Sequence, residues 1–157
     1  MLSISHAATG AFVASKFPNP FIYVPVAVAL HFLEDYVPNW DVGEGMCEGR
    51  RSRRAVILMG IADLVIAAVL VWWLWMSRYS LIDILTFKQP MAWHIVAGAI
   101  AGILPDLIDA PRNFLGIEIK LFKPMTRFHQ RFHHSIPNKF WGLLPQIIIV
   151  IAIYFSR

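Results

Sequence analysis

The chemistry of this chain is concentrated in six histidines and ten carboxylates, and their spacing says more than their number. His31 and Asp35 are four residues apart, Asp106 and Asp109 three, and His129 and His133 four, with His134 beside them. On a helix, side chains at these separations share one face. Mixed imidazole and carboxylate donors suit zinc, iron or manganese better than magnesium or calcium. His6, near the start of the chain, can join the same group. The expected metal set is therefore His6, His31, Asp35, Asp106, Asp109, His129, His133 and His134, holding one or two divalent ions, zinc first and manganese or iron as alternatives. A carboxylate left over from ligation, Asp41 or Glu34, is a candidate general base. Arg131, with Arg127, is a candidate for holding an anionic group.

Other residues of these types have plainer explanations. His94 lies near the far end of its segment and reads as a hydrogen-bonded core histidine. Asp63 reads as a partner for a neighbouring helix or hydroxyl. Trp72, Trp73 and Trp75 read as an interfacial aromatic belt. Gly98-x-x-x-Gly102 reads as close helix packing. What separates the His/Asp groups from these is convergence, since they come from distant segments and fall at one side of the chain's expected topology.

The elements that must position them follow from composition. Of 157 residues, 57% are hydrophobic and only 15% charged, against about 25% charged in an ordinary soluble domain. Disorder is excluded, and a single cysteine, Cys47, excludes a disulfide scaffold. An apolar helix of about 20 residues spans the hydrocarbon. Residues 55–76 and 91–110 meet or approach that length, 140–155 is slightly short, and 21–37 reads as a further crossing. Residues 3–16 are too short to span easily and read as a partial or re-entrant helix. Pro124 opens a short helix, 124–134, whose Phe128 and Phe132 should lie on the membrane or the bundle. No signal peptide is apparent. The expectation is an all-α, polytopic membrane helix bundle: one integral membrane domain, 1–157, with four crossings and an N-terminal partial helix.

Ten of the 14 lysines and arginines fall in two loops, at Arg50–Arg54 and between Arg112 and Lys139. The positive-inside rule places both loops, and the His/Asp groups with them, on the cytoplasmic side of the membrane. The net charge of +4 is explained by topology and anionic headgroups. Membrane lipids and a further copy of the chain are the expected partners, and no nucleic acid is expected.

A weak internal repeat links His6-Ala-Ala-Thr-Gly-Ala to His94-Ile-Val-Ala-Gly-Ala. At these and the later motifs the chain resembles the family of inner-membrane metal-dependent hydrolases. That family has an N-terminal histidine followed by small residues, a Leu-Pro-Asp-x-Asp motif and a His-Arg-Gly-x-Thr-His-Ser motif. His6 with Gly10 fits the first. Leu104-Pro105-Asp106 fits the second, with Asp109 one residue late. His129, His134 and Ser135 fit the third, with Gln130 in place of its arginine and Arg131 one position on. The resemblance covers roughly residues 1–12 and 90–136 and implies a membrane-embedded metallohydrolase.

The leading expectation is metal-assisted hydrolysis of a lipid or lipid-linked (phospho)ester at the cytoplasmic leaflet. A membrane di-iron oxidase or desaturase is the first alternative. His129-x-x-x-His133-His134 suits it, but six histidines are fewer than the roughly eight such enzymes need. A metal carrier or lipid-binding scaffold is the second. Ligands at mid-membrane would favour transport, and ligands at one interface favour hydrolysis.

Overall fold

Where no water can take up backbone hydrogen bonds, an apolar chain must satisfy its own, and helices do this within one segment. A computed structural model of the protein describes residues 1–44, 46 and 50–157, so Cys47 lies outside the described residues. Among these all the regular structure is helix, with no strand. The helices are α1 (Ser3–Lys16), α2 (Pro20–Tyr36), α3 (Arg53–Trp75), α4 (Leu81–Leu85), α5 (Pro90–Ala110), α6 (Lys123–Phe132) and α7 (Lys139–Ser156). Three stretches are long and apolar enough to cross a membrane: Arg53–Arg78, Pro90–Leu115 and Lys139–Ser156. α2, at 17 residues with Pro25 inside it, is shorter than these. Large apolar side chains such as Leu58, Val69, Ile100, Ile148 and Phe155 face outward, as lipid contact allows.

Local signals start the helices where the sequence places them. The side chains of Asn19, Ser52 and Asn138 accept from the N–H groups of Phe21, Ala55 and Trp141, satisfying donors that a helix start leaves orphaned. Proline opens α2 and α5, where its missing N–H costs nothing. α1 has no side-chain cap of its own. Two other helices supply one. Asp63 Oδ2 on α3 accepts the Ser3 N–H at 2.7 Å, and Gln146 Oε1 on α7 accepts the Leu2 N–H at 2.9 Å. Gln146 in turn donates to the carbonyls of Trp40 and Gly142.

α1 is the pivot of the bundle, packing on α5 most extensively and also on α2, α3 and α7. Its contact with α5 is made by glycine and alanine. A Cβ on Gly10 would stand 2.1 Å from the carbonyl oxygen of Gly98, and one on Gly102 would stand 2.1 Å from that of His6. The Gly98/Gly102 pair thus brings two backbones into direct contact and sets His6 beside the Asp106 end of α5.

The helices alternate in direction. Arg157 donates to the Leu74 carbonyl at one end of the bundle. At the other end Gly60, early in α3, faces Phe114 beyond α5, and Trp40 after α2 donates to Gly142 in α7. Both arginine- and lysine-rich loops therefore lie at the same end. At the far end Trp73 stacks on Tyr154 with Arg157 over both rings. Trp72 and Trp73 are exposed there, whereas Trp75, expected in the same belt, is buried.

α6 lies on the bundle. Phe32 of α2 meets Phe128 and Phe132 at ring separations of 5.0 and 5.6 Å. The helix stops at Phe132, two residues before the expected end. The reason is a short parallel pairing: His134 N–H donates to Asp35 O, Asn39 N–H to His134 O, and Ile136 N–H to Asn39 O. α5 does not end cleanly either. Past Ala110 it widens into a π turn, Pro111–Leu115, closed by Gly116 at φ 73°.

Gly10→Ala should destabilise the folded protein by about 1–3 kcal/mol, because the backbones must part to admit the methyl group. Gly60→Ala should be nearly neutral, since its Cβ would meet Phe114 at an ordinary 3.5 Å. Denaturation of the two variants in mixed micelles measures the difference.

Candidate metal centre

Three elements deliver the site. α2 carries His31 and Asp35 on one face, α5 carries Asp106 one turn after Gly102, and α6 carries His129. One ligand atom from each of His31, Asp35, Asp106 and His129 lies within 4.8 Å of the other three. His31 Nε2 and His129 Nε2 are 3.1 Å apart. Asp35 Oδ2 is 2.8 Å from the second of these and 3.4 Å from the first. Asp106 Oδ1 stands 3.9 Å from His31 Nε2 and 3.7 Å from His129 Nε2. Two imidazole nitrogens and two carboxylate oxygens thus converge on one point, a donor set that suits a divalent transition metal.

The surrounding contacts aim these atoms. His31 Nδ1–H donates to the Gly102 carbonyl at 2.8 Å, which leaves Nε2 of the neutral ring with its lone pair toward the cluster. His129 Nδ1 is held by Asp109 Oδ2 at 2.9 Å, and Thr126 donates its hydroxyl to the other oxygen of Asp109. A carboxylate or carbonyl behind a ligating histidine fixes its tautomer and raises its basicity. Asp35 is backed in the same way. Its Oδ1 takes the α-amino group of Met1 and lies 3.3 Å from His6 Nε2. His6 Nδ1 sits 2.7 Å from Glu34 Oε2, and Thr9 donates to Oε1 of the same Glu34. The His6 and His31 rings stack at 3.9 Å.

The expected ligands therefore separate into layers. His31, Asp35, Asp106 and His129 come together. His6 and Asp109 stand immediately behind Asp35 and His129. His133 lies to one side, its Nε2 3.3 Å from Asp41 Oδ2. His134 is exposed, and its Nδ1 donates to the Phe132 carbonyl, because the pairing of its backbone with Asp35 and Asn39 turns the ring away. Glu34 is occupied by His6 and Thr9. Arg131 is exposed on α6. His94 meets Tyr23 edge-on at 5.8 Å. Thr9 and Thr126 carry no metal-ligand chemistry and are not singled out by sequence, and Gly102 is read there only as a packing residue. A spacing signal was nevertheless there: each lies three or four residues from a site residue, on the same helical face.

One side of the cluster is open. Of the four side chains, those of His31 and Asp35 are fully buried and that of His129 is 5% exposed, while that of Asp106 is 29% exposed. Asp106 faces a cleft of about 520 Å³ between α3 and the end of α5. The cleft is also lined by His129, His133, Asp41, Ser135 and the α3 residues Gly60, Ile61 and Leu64. Ile61 and Leu64 are on the outward, apolar surface of α3. Within the cleft Asp41 accepts the Gly43 N–H on Oδ1, and its Oδ2 is buried with no hydrogen bond among the described residues.

Charge on α6 follows from these neighbours. Burial opposes the cationic form of His129, but hydrogen bonds to Asp109 and Asp35, with Asp106 nearby, outweigh it and push the imidazole up to about 9. At His133 burial prevails over the nearby Asp35, Asp41 and Asp106 carboxylates and holds the ring below the ordinary histidine range.

Comparison with known proteins finds no family model, no curated protein and no solved structure that matches the chain.

A metal entering the cluster must displace the proton of His129, so affinity should fall with pH below about 9, by one proton per ion bound. Titration calorimetry with zinc across pH 6.5–9.5 (about the usable buffer range) measures this as proton release. Asp106→Ala should abolish stoichiometric metal. Thr126→Val, which leaves all four ligands in place, should weaken it by about 10–100-fold. Equal zinc content in wild type and Asp106→Ala would remove the site.

Proposed function

We propose that this chain is a membrane-embedded, metal-dependent hydrolase of a lipid or lipid-linked (phospho)ester, working at the cytoplasmic leaflet of a bacterial inner membrane. One observation carries the reading. Of the four converging donors of His31, Asp35, Asp106 and His129, Asp106 and His129 line a cleft that also holds the Asp41 carboxylate, its Oδ2 3.3 Å from His133 Nε2. The resemblance of His6, Leu104-Pro105-Asp106 and His129–Ser135 to inner-membrane metal-dependent hydrolases points the same way.

His31, Asp35, Asp106 and His129 would hold the ion, zinc by preference. Bound there, it supplies Lewis acidity toward the scissile carbonyl or phosphoryl oxygen and toward the attacking water. The rest falls to the chain's own residues. Asp41 Oδ2 accepts the proton of the attacking water, the other oxygen of that carboxylate being held by the Gly43 N–H. His133, beside it at 3.3 Å, receives that proton or passes it to the leaving oxygen. His6 and Glu34 act through Asp35, and Asp109 and Thr126 through His129, keeping the donors aimed. Ile61 and Leu64 at the mouth admit an acyl or prenyl chain from the lipid side.

Four crossings belong to this reading, with α2 as the shorter fourth and α1 as the buried partial helix. Both basic loops then face the cytoplasm. Single cysteines at Ser52, Ser80 and Ser135, placed in a Cys47→Ser background, test it by accessibility. Ser52 and Ser135 should label from one side and Ser80 from the other.

The hydrolase reading is tested with zinc-loaded protein and a panel of ester and phosphodiester lipids. Asp41→Asn should keep its zinc and lose about 10²–10⁴-fold in rate, as removal of a general base does. His134→Ala should change little, since its ring points away from the cleft. Zinc-loaded protein that hydrolyses none of the panel, or an Asp41→Asn variant with full activity, would count against this assignment.

A further inference from the structure

A second cavity, of about 260 Å³, lies beside the metal cleft, between the end of α5, residues 117–122 and the first turns of α6. Four cations line it, Arg112, Lys120, Lys123 and Arg127, with one carboxylate, Glu118. Among the described residues none of the four forms an ion pair. With the Gln130 amide oxygen turned toward it, Arg112 donates there from both Nη2, at 2.9 Å, and Nη1, which uses two of five guanidinium donors. Four like charges around a small cavity repel one another, so an anion seated between them relieves strain that the protein's own groups leave standing. The remaining wall is apolar, formed by Ile108, Ile117, Ile119 and Phe122.

The cavity adjoins the metal centre through two residues. Gln130 lines both cavities. Thr126 lines this one and donates its hydroxyl to Asp109, the residue that holds His129. A ligand with its anionic group among the four cations can therefore reach over Gln130 into the cleft at Asp106. We infer that this cavity seats a phosphate group of an amphipathic substrate, so that the molecule acted on is an anionic phospholipid-type amphiphile anchored by its phosphate beside the metal. What happens to the ligand rests on the hydrolase reading, but its binding does not. The π turn at Pro111–Leu115 belongs to this arrangement: it carries Arg112 into the phosphate cavity and Asn113 into the metal cleft.

The test uses the full chain in neutral maltoside micelles, titrated with dioctanoyl phosphatidic acid, with dioctanoylglycerol as its phosphate-free counterpart and with sodium phosphate as competitor. Native mass spectrometry gives stoichiometry and affinity. One phosphatidic acid should bind per chain, at least about tenfold tighter than dioctanoylglycerol, as charge-assisted contacts give. Lys120→Gln with Arg127→Gln, both exposed residues whose loss should leave melting temperature and zinc content unchanged, should weaken it by about tenfold or more. Arg53→Gln with Arg54→Gln removes equal charge at the other basic loop and should keep affinity within about twofold. Equal weakening by the two pairs would mean diffuse attraction to cations and overturn the pocket. Displacement by sodium phosphate at matching concentration would assign the cavity to free phosphate and overturn the lipid. Asp106→Ala should lose zinc and keep phosphatidic acid. Wild type that binds phosphatidic acid through Lys120 and Arg127 yet hydrolyses nothing would sink the hydrolase reading and leave the pocket. Hydrolysis without preference for phosphatidic acid over dioctanoylglycerol would do the reverse.

Discussion

Asp35 is a carboxyl group with no exposed surface, set in a bundle of apolar helices. A buried carboxylate is tolerated only if opposite charges and hydrogen-bond donors surround it. That requirement organises the site end of the molecule. One oxygen of Asp35 meets the Met1 amino group and His6, and the other meets His31 and His129. Its backbone carbonyl accepts from His134, and Asn39 donates to the same carbonyl. Three helices are thereby tied to the side chain of one residue, and the chain after α6 to its backbone carbonyl.

The bundle must be built tightly for this to hold. His6 comes within reach of Asp35 because α1 lies against α5 at backbone contact, which only Gly10, Gly98 and Gly102 permit. α1 stays at that depth because Asp63 and Gln146 cap its start from neighbouring helices. In lipid there is little hydrophobic force between helices, so close packing and polar contacts do the holding. The same glycine that opens the approach, Gly102, offers its carbonyl to His31. Packing and site geometry are therefore fixed by the same few residues.

The site grades from structure to access. His31, Asp35 and their supports are closed off, while Asp106 and His129 form a wall of the cleft. α6 is the border: its Phe128 and Phe132 side is docked on Phe32, His129 and Thr126 point inward, and Lys123 and Arg127 line the basic cavity. A ten-residue helix of this kind lets one element serve the candidate metal cluster, the anchoring of the helix and the neighbouring charge.

Sequence alone determined the all-helical character and the long apolar stretches, because absent water forces helices. It also determined that His31 with Asp35, Asp106 and His129 stand near one end of the chain's topology, since helical spacing and the alternation of basic loops depend on local order only. It could not rank the donors. Asp106 and Asp109 are equivalent by spacing, and only the position of α6 sends Asp106 to the cluster and Asp109 behind His129. His133 and His134 sit in one motif, yet a backbone pairing with residues 35–39 gives the first to Asp41 and turns the second outward. His6 reads as a ligand and stands one layer back, because α1 is a buried central helix whose register is set by Gly10. Asp63 reads as a partner for a neighbouring helix, and the tertiary structure decides which one: the start of α1, 60 residues away. These outcomes rest on contacts between distant segments, and a linear spacing carries no information about which of two adjacent groups a neighbouring helix will meet.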